Sequence, residues 1–546
     1  MNAAPRPRSS RPVSLQSVAG CAGVWATSAS ALNPDVVVTG VTLDSRAILP
    51  GDLYAALPGA NVHGARFVAA AVGLGAVAVL TDPTGAALLA DGKMPVPVPV
   101  LVVPQPRSAL GDVAALVYGR ASQALTMLGI TGTNGKTTTA YLLDSALRAL
   151  GQVTGLIGTV ETRIAEERIK SVRTTPESPD LHALFAVMLE SEVETCTMEV
   201  SSHALTLHRV DGVRFDVVAF TNLSQDHLDF HGSMEDYYLA KASLFTPARS
   251  VRAVVCVDDE WGQRLARESG VPVVSISSRE DVAADWQIQA NGPADCAFAL
   301  VGQGRPFSLR SALPGDFNRV NTAMAALVLL GAGHPVEEIE AALAVDPHVP
   351  GRMERVLVER VRSAGVQAAD RIQDSGRCRM PSAFVDFAHT PVAVAAALKA
   401  LRRHTSGSLI VVLGAGGDRD AGKRAAMGAA AAAHADFVFV TDDNPRSEDP
   451  ATIRAAVLAG AAAQDGSVRP PAEDSPERLR EIGDRASAIR QAVAIAGVGD
   501  TVVVLGKGHE SGQEAAGVVR PFDDRTELRA ALMEHETYDV HPGSPQ

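Results

Sequence analysis

The sequence predicts an α/β protein of three domains, the last two built on mostly parallel sheets. Three observations carry that expectation. A chain of 546 residues exceeds what one core serves, since domains run to about 100–200 residues. Short Val-, Ala- and Leu-rich runs alternate with helix-like stretches, which is the rhythm of βαβ units. That rhythm restarts twice, near residues 122 and 352. Few aromatics (4%) within a hydrophobic share of 46% also fit strands buried on both faces.

In chain order, residues 1–14 read as a disordered tail. Residues 15–121 form a small α/β domain, in which the proline-bearing stretch 94–106 precedes a helix reaching Gly119. Residues 122–351 form the central domain, with strands expected at 124–130, 193–199, 216–221 and 251–257. Within it, 311–330 begins as a loop and continues as a helix with an apolar stripe. Residues 352–546 form a third, doubly wound, Rossmann-like domain. Its strands are expected at 384–387, 409–413, 437–441 and 501–505, with an Ala-rich helix at 425–434. The Arg-, Gln- and Ser-rich stretch 359–381 reads as an exposed insertion.

Bulk properties exclude several function classes. A formal net charge of −13 argues against sequence-independent nucleic-acid binding, which needs a basic surface. No stretch of about 20 apolar residues is present, so no membrane span is expected. The cysteines Cys21, Cys196, Cys256, Cys296 and Cys378 are scattered and form no C-x-x-C pair. That usage fits a reducing, cytoplasmic setting without disulfides or structural zinc.

Chemistry concentrates first at LGITGTNGKTTTAYL, residues 128–142. An apolar strand feeds a glycine loop, and the loop feeds a helix from about Lys136. Such a P-loop-type unit aims backbone N–H groups and a positive helix end at an anion. Lys136 adds a point charge for outer phosphates, and Thr137 puts a hydroxyl where Mg2+ needs an oxygen. The spacing is shorter than the general P-loop, with Gly132 as the leading glycine and Ile130 where that pattern wants one.

Glu199 ends a strand at the carboxyl edge, where α/β sheets place their ligands, and can face Mg2+ opposite the phosphates. The stretch 222–231 holds Asp226, His227, Asp229 and His231 after another strand, a density suited to a metal or phosphate site. Lys241, taken alone, is an ordinary helical lysine. In the third domain, glycine turns at 414–420, 442–446 and 506–510 all follow strands of one sheet and converge on one cleft. Arg419 and Arg446 offer forks for carboxylate, while Asp443 and Glu510 offer negative charge. A cleft with both signs suits a zwitterionic amino acid.

Ten motifs then occur in order: GTNGKTT, MEVSSHAL, TNLSQDHLDFHG, the Lys241 segment, GDFNRVNTAMA, GRMERV, VDFAHTP, GGDRDAGKR, DDNPR and GKGHE. In this the chain resembles the Mur ligases of bacterial cell-wall synthesis along essentially its whole length, and the short glycine loop is that family's own form. The resemblance implies ATP-dependent amide-bond formation. The γ-phosphate passes to the D-glutamate carboxylate of a UDP-linked muramoyl dipeptide, and the amine of meso-diaminopimelate attacks the acyl phosphate.

The resemblance also implies residue roles. Gly132, Thr133, Asn134, Gly135, Lys136, Thr137 and Thr138 would cradle ATP, with Asn321, Arg352 and Asp386 at adenine, phosphate and ribose. Thr137, Glu199 and His227 match magnesium ligands. Lys241 matches a lysine carried as a carbamate (N6-carboxylysine), an anion able to bind a second Mg2+. Leu43, Ser45, Ala60, Asn61 and Val62 would contact UDP, and Thr174, Thr175, Ser201 and Arg209 the muramoyl dipeptide. Diaminopimelate would meet Arg419, Asp443, Asn444, Pro445, Arg446, Gly506 and Glu510. Arg446 would bind the distal carboxylate that lysine lacks.

A cytoplasmic monomer is expected, with no nucleic-acid or stable membrane partner. Leu207 stands where related enzymes carry glutamine, and Phe387 replaces the commoner tyrosine. The alternatives are a sister ligase adding L-lysine, a folylpolyglutamate synthetase and a non-catalytic UDP-sugar-binding protein.

Overall fold

The computed structural model describes residues 5–24, 35–59, 61–91, 96–290, 292, 296–358, 380–465 and 477–539. Ala60, Cys378 and residues 359–379 of the expected insertion lie outside the described residues.

Three large sheets follow one another along the chain. The first has four parallel strands, Gly40–Thr42, Asp52–Ala56, Ala78–Thr81 and Val100–Val102, in sequence order. Helix Pro106–Val117 packs on it through Leu110, Val113, Ala114 and Val117. Residues before it are anchored rather than loose, which corrects the expected disordered tail over 6–14. Arg6 makes an ion pair with buried Asp52 at 2.7 Å. The Arg8 and Ser9 amides donate to Glu190 of the central domain, and Val13–Ser14 pairs with Val37–Val38. A short polar segment shows no apolar period, so these long-range ties leave no trace in composition.

The second sheet has eleven strands. Its parallel middle holds Thr154–Ile157, Thr195–Glu199, Thr126–Thr131, Phe215–Phe220, Ser250–Cys256 and Val273–Ser277 as successive neighbours. Trp286–Ala290 continues the parallel run beside Val273–Ser277, and antiparallel pairing extends both edges from there, through Ala297–Val301 and Phe307–Arg310 on one side and Glu161–Ile164 and Glu167–Lys170 on the other. The four strands expected here are present. The strands towards the edges were not legible, because they mix Gln, Arg, Ser and Glu with apolar residues. Helices Lys136–Ala149 and Asp316–Gly331 cover one face, burying Leu143, Ala146, Leu147, Met324 and Leu327 against Leu128 and Ile130. Each such Leu contributes about 2 kcal/mol by leaving water.

The third sheet has six strands. Ser382–Asp386, Thr501–Leu505, Leu409–Leu413, Phe437–Val440 and Leu479–Glu481 run parallel, and Glu354–Arg355 adds an antiparallel edge. The Val-rich middle strands are wholly buried, as a sheet covered on both faces requires. Beneath its carboxyl edge, Arg485 and Asp524 form an ion pair at 2.7 Å with both side chains fully buried. Arg485 also donates to the carbonyls of Leu505 and Asp442, tying together the roots of two loops.

Candidate active site

Strand Thr126–Thr131 lies at the centre of the large sheet and delivers residues 132–135 at its carboxyl end. Gly132 adopts φ +146°, and a side chain there would collide with the Thr221 hydroxyl. The loop is braced from the next strand. The Thr133 amide donates to the Asn222 carbonyl (2.9 Å), the Asn134 amide to Asn222 Oδ1 (3.0 Å) and Thr221 Oγ1 to the Asn134 carbonyl (2.6 Å). Lys136 Nζ folds back to donate to the Gly132 and Thr133 carbonyls, both at 2.9 Å. Lys241 Nζ reaches the Gly132 carbonyl from behind at 2.8 Å and is buried over the Tyr237 ring.

Glu199 is buried at the end of its strand. Its carboxylate accepts from Thr137 Oγ1 (3.0 Å), the Thr159 amide (2.8 Å) and Thr159 Oγ1 (3.0 Å). A carboxylate and two hydroxyls beside a phosphate loop are hard oxygen donors and fit Mg2+, which takes few protein ligands and relies on phosphates and water for the rest. No group of three or more His, Cys, Asp or Glu side chains fit to hold a metal occurs among the described residues. Thr175 Oγ1 donates to the Glu199 carbonyl (2.9 Å) and accepts from the Ser201 amide (3.2 Å). Thr174 shares a hydrogen bond with Thr159 (3.0 Å), and Arg209 pairs with Glu177 (2.9 Å).

The third domain closes the other side. Arg352 lies over the Phe387 ring and donates to Thr137 Oγ1 at 3.3 Å, so it touches the phosphate loop directly. Asp386 accepts from the Met353 and Ala388 amides at 2.7 and 2.8 Å. Asn321 lies close over Gly135 from helix Asp316–Gly331. Arg446 sits in the left-handed region with φ +53°. Its Nη1 donates to the Gly417 carbonyl (2.7 Å), and its Nε stands 3.5 Å from Glu514. Asn444 Nδ2 donates to Glu510 Oε2 at 2.8 Å. Gly506 has φ +116°, and a side chain there would strike the Asp443 carboxylate.

These parts line one cavity of about 980 Å³. It takes in Thr133 to Thr138, Thr174, Thr175, Glu199, Ser201, Arg209, His227, Asn321, Arg352, Asp386, Arg419, Asp443, Asn444, Arg446, Gly506 and Glu510. Gly132, Lys241 and Pro445 stand behind its wall rather than on it. Leu43, Ser45, Asn61 and Val62 belong to the first domain, outside this cavity.

Thr159, His389 and Lys423 are among the cavity residues that had no expected role. Thr159 holds Glu199, yet it lies in a short loop with no chemical signature. Asp226, buried at 6% exposure, faces His227, His389 and Lys423 at 3.5, 3.8 and 3.5 Å. His389 and Lys423 lie within expected motifs, but a pairing across domains leaves no sequence spacing.

Burial pushes Lys136 below the ordinary lysine range, and it pushes Lys241 well below with help from the Lys136 charge. His227 falls to about 3, chiefly by burial, and is a neutral imidazole at neutral pH. His509, buried beside Arg352, also falls to about 3. Burial opposes ionisation of Asp226, but His389, His227 and Lys423 together hold it far below the usual carboxylate range.

Comparison with known proteins matches this architecture piece by piece. Residues 37–118 match the model described as Mur ligase family, catalytic domain. Residues 130–329 match the Mur ligase middle domain, and 351–508 the Mur ligase glutamate ligase domain. A relative from Streptomyces avermitilis is 51% identical over 97% of this chain and 98% of its own length.

The chain belongs to the Mur ligase family.

That Streptomyces relative is named UDP-N-acetylmuramoyl-L-alanyl-D-glutamate–2,6-diaminopimelate ligase. A Mur ligase from Leifsonia xyli, named UDP-N-acetylmuramyl-tripeptide synthetase, is 46% identical over 91% of this chain and 92% of its own. A solved structure of a ligase bearing the Streptomyces relative's name superposes with TM-score 0.63 at 29% identity, covering 96% of this chain and all of that one. The three-domain α/β architecture is thus that of Mur ligases, which are ATP-dependent enzymes forming amide bonds.

Proposed function

We propose that this chain adds meso-2,6-diaminopimelate to the D-glutamate carboxylate of UDP-N-acetylmuramoyl-L-alanyl-D-glutamate, with ATP, in cytoplasmic peptidoglycan synthesis. One observation carries the reading. Lys136 of the phosphate loop and Arg446 of the third domain line the same cavity, so an activated acyl group and an incoming diamino diacid can meet there.

The chain's own residues account for the steps. Backbone amides of 135–138, at the start of helix Lys136–Ala149, grip the triphosphate. Lys136 swings from its carbonyls to the transferring phosphoryl group, where it stabilises developing charge. Arg352, already at Thr137, approaches the same phosphates. Thr174, Thr175, Ser201 and Arg209 hold the dipeptide carboxylate in line, which supplies proximity without new chemistry. The bond from γ-phosphorus to the bridging oxygen of ATP breaks as the phosphorus–carboxylate bond forms. The diaminopimelate amine then attacks the acyl carbon, loses a proton, and phosphate leaves.

Mg2+ would be held by Thr137, Glu199, His227 and carbamylated Lys241, and it would supply charge neutralisation on the phosphates. Neutral His227 has the form a ligand needs. Burial lowers the basicity of the Lys241 amine, which favours the uncharged form, the one that adds carbon dioxide to give a carbamate and a proton.

Arg446 and Glu510 sort the entering amino acid. Arg446, steered by Gly417, takes the distal carboxylate. L-Lysine would leave that guanidinium with only its internal partners, the Gly417 carbonyl and Glu514, which disfavours the lysine-adding reading. Phosphate release from ATP with the UDP-dipeptide tests the proposal. Release should require meso-diaminopimelate, with kcat/KM for L-lysine lower by at least about 100-fold. Equal use of the two would overturn it.

A further inference from the structure

Lys507 is the one residue of GKGHE whose charge the reaction above does not use. Its side chain is fully buried, and a buried ammonium is costly unless paired and hydrogen-bonded. Nζ has two partners, Asn444 Oδ1 at 3.0 Å and Glu510 Oε2 at 3.2 Å. Both belong to the cavity wall.

The first contact settles how the Asn444 amide points. Oδ1 accepts from Lys507 and from the Glu514 amide (3.0 Å). Nδ2 is therefore the end that donates to Glu510 Oε2 (2.8 Å). With Oε2 occupied by Lys507 and Asn444, Glu510 keeps Oε1 for the cavity. The Glu514 amide belongs to strand Gly512–Ala515, whose Glu514 carbonyl accepts from the Arg446 amide (3.0 Å). One buried cation thereby orients Asn444 and Glu510 and ties down the strand that holds the Arg446 backbone.

We infer that Lys507 is a positioning residue for the entering amino acid, presetting the Glu510 carboxylate for its ammonium and the Arg446 fork for its distal carboxylate. This rests on the reading of that amino acid as diaminopimelate. Loss of the charge should act locally. Glu510 is 34% exposed, so water can solvate the oxygen that Lys507 leaves.

The test is steady-state kinetics of Lys507→Met and Lys507→Gln, varying each substrate in turn. The expected result is a rise of about tenfold or more in KM for meso-diaminopimelate, as for truncation of one partner of a buried charge pair. KM for ATP and for the UDP-dipeptide should stay within about twofold of the parent, and Lys507→Gln, which keeps a donor, should lose less than Lys507→Met. Equal shifts in all three KM values, or none, would overturn the inference. Should Lys507→Met fail to fold, Lys507→Gln decides by the same split. Wild-type protein that ignores diaminopimelate would sink the functional reading instead, so the two failures are distinct.

Discussion

The phosphate loop and the amino-acid pocket handle their cations in opposite ways. Lys136 leans on the backbone carbonyls of Gly132 and Thr133 and has no carboxylate within ion-pair distance among the described residues. Lys507 and Arg446 instead stand beside Glu510 and Glu514. Carbonyls offer only partial charge, so the first region keeps a surplus of positive potential for a polyanion. The second is already balanced, so only a ligand bearing both signs can replace its internal partners without stranding a charge. The difference is what the proposed function asks of one cleft, a triphosphate at one end and a zwitterion at the other.

Four changes would break or sharpen that contrast. Lys136→Ala removes the mobile charge and should lower kcat by about 10³-fold, measured as ADP formation, with the fold retained. A loss below tenfold would mean that the surplus charge is not catalytic. Lys241→Ala should lower ligation by about 10²–10³-fold, with partial rescue by formate or acetate standing in for a carbamate. Full activity without additive would refute the carbamate role.

Arg446→Ala should raise KM for diaminopimelate by about 10²-fold, some 3 kcal/mol, while leaving KM for ATP unchanged. Equal effects on both would dissolve the contrast between the two ends. The smallest effect concerns His182, away from both ends, buried against the Asp211 carbonyl and held near pKa 4 by burial. The unfolded chain takes a proton near the ordinary value of 6.5, and the folded chain does not until about pH 4. Stability carried by the neutral ring is complete above pH 6.5 and declines as pH falls towards 4, by up to about 1.4 kcal/mol per pH unit. His182→Asn should flatten the melting temperature over that window. An unchanged slope would show that this histidine is not the group responsible.

The eight strands expected in the second and third domains are present, most of them apolar runs, whereas the parallel strands Thr154–Ile157, Val273–Ser277 and Leu479–Glu481 were not expected. The antiparallel edges of the central sheet were not expected, since they mix charged and polar residues with apolar ones. The phosphate loop was readable from Gly132, Gly135, Lys136 and Thr137 alone. Thr159, which makes two of the hydrogen bonds to Glu199, was not, because a threonine in a loop has no distinguishing neighbour. Arg6 and Asp52, 46 residues apart, carry no signal of partnership in either local sequence.

Local sequence thus determined where strand, glycine turn and helix lie, since these are written in nearby residues and set by short-range sterics. Only the tertiary structure decided which of them meet. Arg352 touches Thr137 across 215 residues, and Asn444 finds Lys507 across 63. The physical reason is that packing of whole domains brings these groups together, and a buried charge such as Lys507 finds its counter-charge by position in space rather than by order in the chain.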